Sequence, residues 1–375
     1  MGQVTTGEVV PLVDVRAAHA EVAEEIRSGF NRVLASGEFI KGEDVRCFER
    51  EYAAFAGVPY CVGVASGTDA LELSLRAAGV PPGSEVLIPA NTFVATASAV
   101  ARAGARPVLV DVDSGTLLLD PSRVRAAAGP KTTAVIPVHL YGQMAPMTAI
   151  SAMATALGLA VIEDAAQAHG AAQDGLPPGS LAVAAAVSFY PGKNLGAYGD
   201  AGGVLTSSAA LARQVRLLGD HGSERRYEHL TLGFNSRLDS LQAVVLRAKL
   251  RHLPDWNEAR RRAAARYSEL LADVDDIILP QTGRGNTHVW HQYVIRVPER
   301  NRVLSSLNDY GIRAAIHYPV PVHLHPAFRH LGYSAGDFPV AETAAGQILS
   351  LPIYPQITDD QQHTVVRALR WALGR

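Results

Sequence analysis

From Tyr60 to Thr206 the chain alternates short apolar runs with amphipathic stretches, and few folds accommodate that pattern. The runs are Tyr60–Ala65, Glu85–Pro89, Arg106–Val112, Thr133–Val138, Leu159–Asp164, Val183–Phe189 and Gly203–Thr206. Each is too short for a helix and reads as a strand, with helices at Thr68–Ala78, Thr92–Ala103 and Ile150–Leu157 between them. Strand, crossover helix and strand, repeated this often, predict an α/β fold: a mostly parallel sheet sandwiched by helices. Ligands in such sheets bind beyond the carboxyl ends of the strands. Ser66-Gly67-Thr68, Asn91-Thr92-Phe93, His139, the segment Asp164–His169 and Lys193 all fall there.

The pattern changes after about Leu250. Arg247–Ala272 reads as a long Arg-rich helix, bent or broken at Pro254. Strand-like His288–Arg296 and Ile312–Ile316 follow, with helices on either side. This predicts a large domain over residues 1–250, with an N-terminal helix at Glu21–Leu34, and a smaller α+β domain over 251–375. A length of 375 residues suits two cores better than one.

Several function classes are disfavoured by composition. A hydrophobic content of 48% with 19% charged residues is that of a folded globular protein. Net charge is −2, and the longest basic run is Arg260-Arg261-Arg262, so nothing points to nucleic acid. Cys47 and Cys61 form neither a disulfide framework nor a metal motif. With no signal-like start and no run long enough to span a bilayer, a soluble cytoplasmic protein is expected, without metal.

The chemistry concentrates at Ser188-Phe189-Tyr190-Pro191-Gly192-Lys193-Asn194-Leu195-Gly196. Lys193 follows a buried run and has aromatic, small and glycine neighbours with no charge before Asp200. A poorly solvated ammonium has a lowered pKa, which leaves part of it as the free amine that attacks an aldehyde. Asp164 ends a strand 29 residues earlier, where a pyridinium nitrogen would find its counter-charge; it could equally cap a helix. Glu163 points to the opposite face of that strand and cannot share the task. Gln167 and His169 are expected to line the same pocket. Ser66-Gly67-Thr68 lies between a strand and a helix start, which suits a phosphate or an ordinary capped helix. Phe93 could lie flat on an aromatic ring or pack in the core.

Together these motifs resemble the pyridoxal-phosphate-dependent sugar aminotransferases of the DegT/DnrJ/EryC1/StrS family. Further matching segments are Ser36–Gly42, Pro89–Thr96, Pro137–Gly142, Gly233–Leu238 and His317–His323, so the resemblance covers nearly the whole chain. It implies the aspartate aminotransferase-like (type I) fold and pyridoxal 5′-phosphate, cycling through its pyridoxamine form. By that resemblance Lys193 would form the Schiff base and move the substrate proton, and Asp164 would bind the pyridine nitrogen. Gln167 would reach the phenolic oxygen, and Phe93 would stack on the ring. Gly67, Thr68 and Ser188 would hold the phosphate, with Asn235 arriving from the partner of a homodimer. Lys41, Arg226, Tyr227, His317, Tyr318 and His323 are the substrate-binding candidates. Arg225-Arg226-Tyr227 has the cations and aromatic of a diphosphate and sugar clamp, or it simply faces solvent.

The lysine loop and His317–Leu324 are most similar to the branch that aminates dTDP-3-keto-6-deoxyhexoses in antibiotic pathways, with glutamate as amino donor. Amination at C4 of a dTDP- or UDP-4-keto sugar is the alternative, as is a regulator that binds the cofactor without turnover. A dinucleotide oxidoreductase would need Gly-x-Gly-x-x-Gly after a strand, and Val62–Gly67 lacks it.

Overall fold

The computed structural model describes residues 9–225 and 227–374. All seven expected runs form strands: β1 (Tyr60–Val64), β2 (Glu85–Pro89), β3 (Arg106–Val110), β4 (Thr132–Val135) and β5 (Ala160–Asp164) come first. A short β6 (Ala172–Gln173) stands apart, paired with Asn286–Thr287. Then come β7 (Ala184–Ser188) and β8 (Gly202–Thr206). The central sheet has the order β1-β8-β7-β5-β4-β2-β3. Only β8 runs against its neighbours, β1 and β7, so the carboxyl ends of the other six strands share one edge.

Alternation along the strands divides their side chains between two apolar cores. Val62, Ile88, Ala134, Ile162, Ala186 and Val204 enter one; Cys61, Leu87, Val135, Val161, Ala185 and Leu205 enter the other. The helices are α1 (Val15–Ser36), α2 (Glu43–Phe55), α3 (Gly67–Ala77), α4 (Val94–Arg102), α5 (Pro121–Ala127), α6 (Met147–Leu157), α7 (Ala209–Gly219), α8 (Ser240–Leu250) and α9 (Leu253–Leu270). Helices α3, α4 and α7 cover the first face through Leu71, Val100 and Val215. The second is covered by α2, α6 and α8 through Phe48, Ile150 and Leu246. Each such side chain contributes roughly 1.5–3 kcal/mol when fully buried.

Three expected elements differ. The helix expected over Arg247–Ala272 is two helices, and the break falls at Arg251-His252 rather than at Pro254. Pro254 occupies the first turn of α9, where its missing N–H would have had no partner. In His288–Arg296 only Tyr293–Arg296 is a strand, antiparallel to Ile348–Leu351; the residues before it cross to the cavity described below. Ile312–Ile316 forms isolated bridges, Ile312 with Val10 and Ala315 with Ser350. A third apolar cluster, including Tyr267, Val303, Leu307, Leu349, Leu351 and Leu369, lies in the C-terminal part of the chain. Val10 also joins it, so the start of the described chain packs there. No helix among the described residues is long and apolar enough to cross a membrane.

Candidate active site

Beyond the carboxyl ends of β1, β2, β5 and β7 lies a cavity of about 490 Å³. Its wall includes Gly67, Thr68, Phe93, Asp164, Gln167, Ser188, Lys193, His317 and Tyr318, nine residues that the sequence reading singled out. The parallel strands explain the convergence: loops far apart in sequence emerge side by side at one edge of the sheet.

Lys193 is half-buried, and its side chain makes no hydrogen bond or ion pair with the described residues. Desolvation lowers its pKa to about 8, while the charge of Asp164 pulls the other way. Asp164 is buried at the end of β5. Thr96 donates its hydroxyl to Asp164 Oδ2 at 2.8 Å, and the Ala166 N–H reaches Oδ1 at 3.2 Å. No cation among the described residues pairs with this carboxylate. A buried anion held by neutral donors alone retains capacity for a positively charged ligand group. Glu163, one residue earlier, lies behind the sheet with His139 Nε2 at 2.6 Å and the Gly179 N–H at 3.0 Å. The pleat therefore separates the two acids as expected.

The phosphate-seat geometry is also present. Ser66 caps α3 by accepting the Asp69 N–H at 3.1 Å. The Gly67 and Thr68 N–H groups make no hydrogen bond to the described residues, and they sit at the positive end of the helix dipole. A Cβ on Gly67 would lie 2.6 Å from Ser188 Cβ, so only glycine lets α3 approach β7 this closely. Phe93, at the N-cap of α4, is 49% exposed, and its ring centroid lies 5.0 Å from that of Tyr318. Core packing is therefore not its role; it offers an aromatic face at the cavity. Gln167 Nε2 donates to Tyr318 Oη at 3.1 Å, and its Oε1 accepts the Tyr141 N–H at 2.6 Å. Burial followed by the nearby Asp164 raises the Tyr318 pKa, keeping the phenol neutral.

Other candidates lie elsewhere. His169 does not line the cavity: it is buried behind β7, bonded to Tyr52 Oη at 2.6 Å and to the Ser188 carbonyl at 2.8 Å. Burial lowers its pKa to about 4. His323 is also outside, against Glu342 at 3.0 Å. Lys41 is paired with Asp220 in a separate depression, and Tyr227 is exposed outside the cavity. Asn235 is exposed and accepts a hydrogen bond from Arg237 at 2.7 Å, away from its own chain's cavity. Arg226 lies outside the described residues. The sequence reading missed Thr96, His291 and Gln292. Thr96 sits two residues into α4, and the two others were assigned to a continuous strand.

The sequence profile of the DegT/DnrJ/EryC1/StrS aminotransferase family matches residues 20–370. The erythromycin biosynthesis sensory transduction protein EryC1 of Saccharopolyspora erythraea is 48% identical over 96% of this chain and 99% of its own length. The dTDP-3-amino-3,4,6-trideoxy-alpha-D-glucose transaminase of Streptomyces venezuelae is 45% identical over 97% of this chain and 96% of its own length. Among solved structures, S. venezuelae DesV in complex with ketimine intermediate superposes with a TM-score of 0.95 at 44% identity, covering 98% of this chain and 99% of that chain. Fold and site thus define an α/β aminotransferase. The chain belongs to the DegT/DnrJ/EryC1/StrS aminotransferase family.

Proposed function

We propose that this aminotransferase uses pyridoxal 5′-phosphate to place an amino group on C3 of a dTDP-linked 3-keto-6-deoxyhexose, with glutamate as donor, in antibiotic aminosugar synthesis. One observation carries the reading: a desolvated lysine amine and a buried carboxylate share one cavity, and among the described residues the first has no hydrogen-bond partner and the second no cation. That pair, the free N–H groups of α3 and the exposed Phe93 ring fit the cofactor's aldehyde, ring nitrogen, phosphate and aromatic face respectively. When bound, the cofactor supplies a carbonyl that carries the amino group and a ring that acts as an electron sink.

The chain's own groups do the rest. Gly67, Thr68 and Ser188 would seat the phosphate, and Phe93 would cover the ring. Asp164 would hold the proton on the ring nitrogen, with Thr96 fixing the carboxylate that accepts it. Gln167 would face the phenolic oxygen. Lys193, partly a free amine near neutral pH, would take the proton from the substrate carbon and return it. His317 and Tyr318 would contact the sugar.

The S. venezuelae relative's name supports C3 amination of a dTDP sugar, and the match of His317–Leu324 to that branch agrees. The intact Lys193 and Asp164 favour turnover over the regulatory role suggested by the name of the S. erythraea relative. Asn235, exposed outside its own cavity, is read as completing the site of a second copy, which makes the working form a homodimer. The domain boundary near Leu250 is part of the same proposal, supported by the third apolar cluster. Incubation with dTDP-3-keto and dTDP-4-keto sugars plus glutamate, followed by mass spectrometry, tests the substrate. Product from the 3-keto sugar is expected; product from the 4-keto sugar alone would overturn the regiochemistry.

A further inference from the structure

The ladder between β5 and β7 lacks its last rung, and a side chain supplies it. Ile162, Glu163 and Asp164 lie beside Ala184, Ala185 and Ala186 in parallel register, and the Ala165 N–H donates to the Ala186 carbonyl at 2.8 Å. Two residues further along each strand, the same register would join the Gln167 N–H to the Ser188 carbonyl. By then the chain has turned away: the Ala168 N–H donates to the Ala165 carbonyl at 3.0 Å, and the Ala171 N–H to the Ala168 carbonyl at 3.0 Å. The Ser188 carbonyl is met instead by His169 Nε2 at 2.8 Å. On the other edge of the same peptide group, the Phe189 N–H donates to the Ala201 carbonyl at 2.8 Å. The Ser188–Phe189 peptide is thus held from both sides.

Two neighbours fix the hydrogens of the imidazole. A carbonyl can only accept, so Nε2 carries a hydrogen. Burial lowers the pKa of His169 to about 4; the bond to Ser188 opposes that shift and the charge of Lys193 adds to it. The ring is therefore neutral near pH 7, and its bare Nδ1 accepts the Tyr52 hydroxyl at 2.6 Å. It is buried and stacked on Phe189, with centroids 5.4 Å apart and planes 24° apart. From α9, Asn257 Nδ2 holds the His169 carbonyl at 2.8 Å.

We infer that His169 is a positioning residue: its Nε2–H replaces the missing rung and sets the turn that carries Asp164 and Gln167 against the strand end that carries Ser188, just ahead of Lys193. A backbone rung at Gln167 would require β5 to run on. The histidine supplies the rung from behind the sheet and leaves the chain free to turn, so both halves of the cavity wall keep one relative placement. The inference rests on Ser188 and Lys193 belonging to the cofactor site, a reading that borohydride trapping tests separately.

Two variants part the hydrogen bond from the packing. His169→Phe keeps a flat ring against Tyr52 and Phe189 but has no donor; His169→Gln gives up the ring and keeps an N–H at the reach of Nε2. Each full-length protein is titrated with pyridoxal 5′-phosphate by fluorescence, at equal folded fraction by circular dichroism. The Kd should be roughly tenfold weaker for His169→Phe and within about threefold of native for His169→Gln. A His169→Phe protein that binds as tightly as native, or a His169→Gln protein that binds no better than His169→Phe, would overturn the proposal, since packing alone predicts the opposite order. With the native chain labelled on Lys193, that result refutes the role of His169 alone; a label on another lysine would sink the cofactor reading and this role with it. Neutron diffraction from crystals of the native protein needs no variant. A hydrogen on Nε2 aimed at the Ser188 carbonyl, with Nδ1 bare, supports the proposal, and a hydrogen on Nδ1 contradicts it.

Discussion

Lys193 and Asp164 were legible in the sequence because their neighbours are so unlike those of surface charges. A lysine among glycines and aromatics after a buried run, and an acid ending another, already imply desolvation. His291 was not legible as a wall residue, since its placement depends on Asn194, which only the fold brings against it. His169 misled for the reverse reason: it follows the Asp164 turn in sequence, but the turn carries it behind β7 to Tyr52. Two expectations follow at this scale. In the cofactor-free chain, labelling of Lys193 by an amine-reactive aryl fluoride should rise between about pH 7 and about pH 9, because only the free amine reacts. Its midpoint should sit near 8 and fall in Asp164→Asn, since the Asp164 charge raises that pKa. Asp164→Asn should also cost on the order of 2–5 kcal/mol of transition-state stabilisation, roughly thirty-fold to several thousand-fold in turnover. A near wild-type rate from steady-state kinetics would place the ring nitrogen elsewhere.

Among the elements, strands were read more accurately than the boundaries between helices. All seven strands of the sheet were legible, because residues buried on both faces leave an unbroken apolar signature. The break between α8 and α9 was displaced by three residues, since proline marks a helix start as readily as a stop. The segment His288–Gln292 carried strand-like residues into a cavity wall, where contacts from Asn194 and Gly142 override local propensity. Gly67 tests whether α3 is the phosphate seat. A methyl group there meets Ser188 Cβ at 2.6 Å and Cα at 3.1 Å, which forces the helix start away from β7. Gly67→Ala should lose about 1–3 kcal/mol of stability by thermal melting, and weaken cofactor binding roughly tenfold by fluorescence titration, about 1.4 kcal/mol. Unchanged cofactor affinity would move the phosphate to another seat.

For the whole molecule, the decisive residue is one that the cavity lacks. Asn235 lines a separate hollow together with Asp69, Glu72 and Arg102 and does not line the cavity of its own chain. If it serves a second copy, Lys193→Ala and Asn235→Asp are each inactive alone. Denatured together and refolded, they should regain activity, because one site of each hybrid dimer keeps both native residues. No recovery, with dimers confirmed by light scattering, would put both residues in one chain's site.

The central claim is that Lys193 is the amine that engages the cofactor, and this chain allows an unusually clean test of it. It has only four lysines: Lys41, Lys131, Lys193 and Lys249. Lys41 is paired with Asp220, and Lys249 is buried with its ammonium on the Gly196 carbonyl at 2.7 Å. Lys131 is exposed in a turn remote from the cavity wall. Borohydride reduction of the protein incubated with pyridoxal 5′-phosphate, followed by peptide mass spectrometry, should place one cofactor-derived label per chain on the peptide containing Lys193. Lys193→Ala should carry none and transfer no amino group. A label on another lysine in the native chain, or turnover by Lys193→Ala above trace levels, would contradict the account.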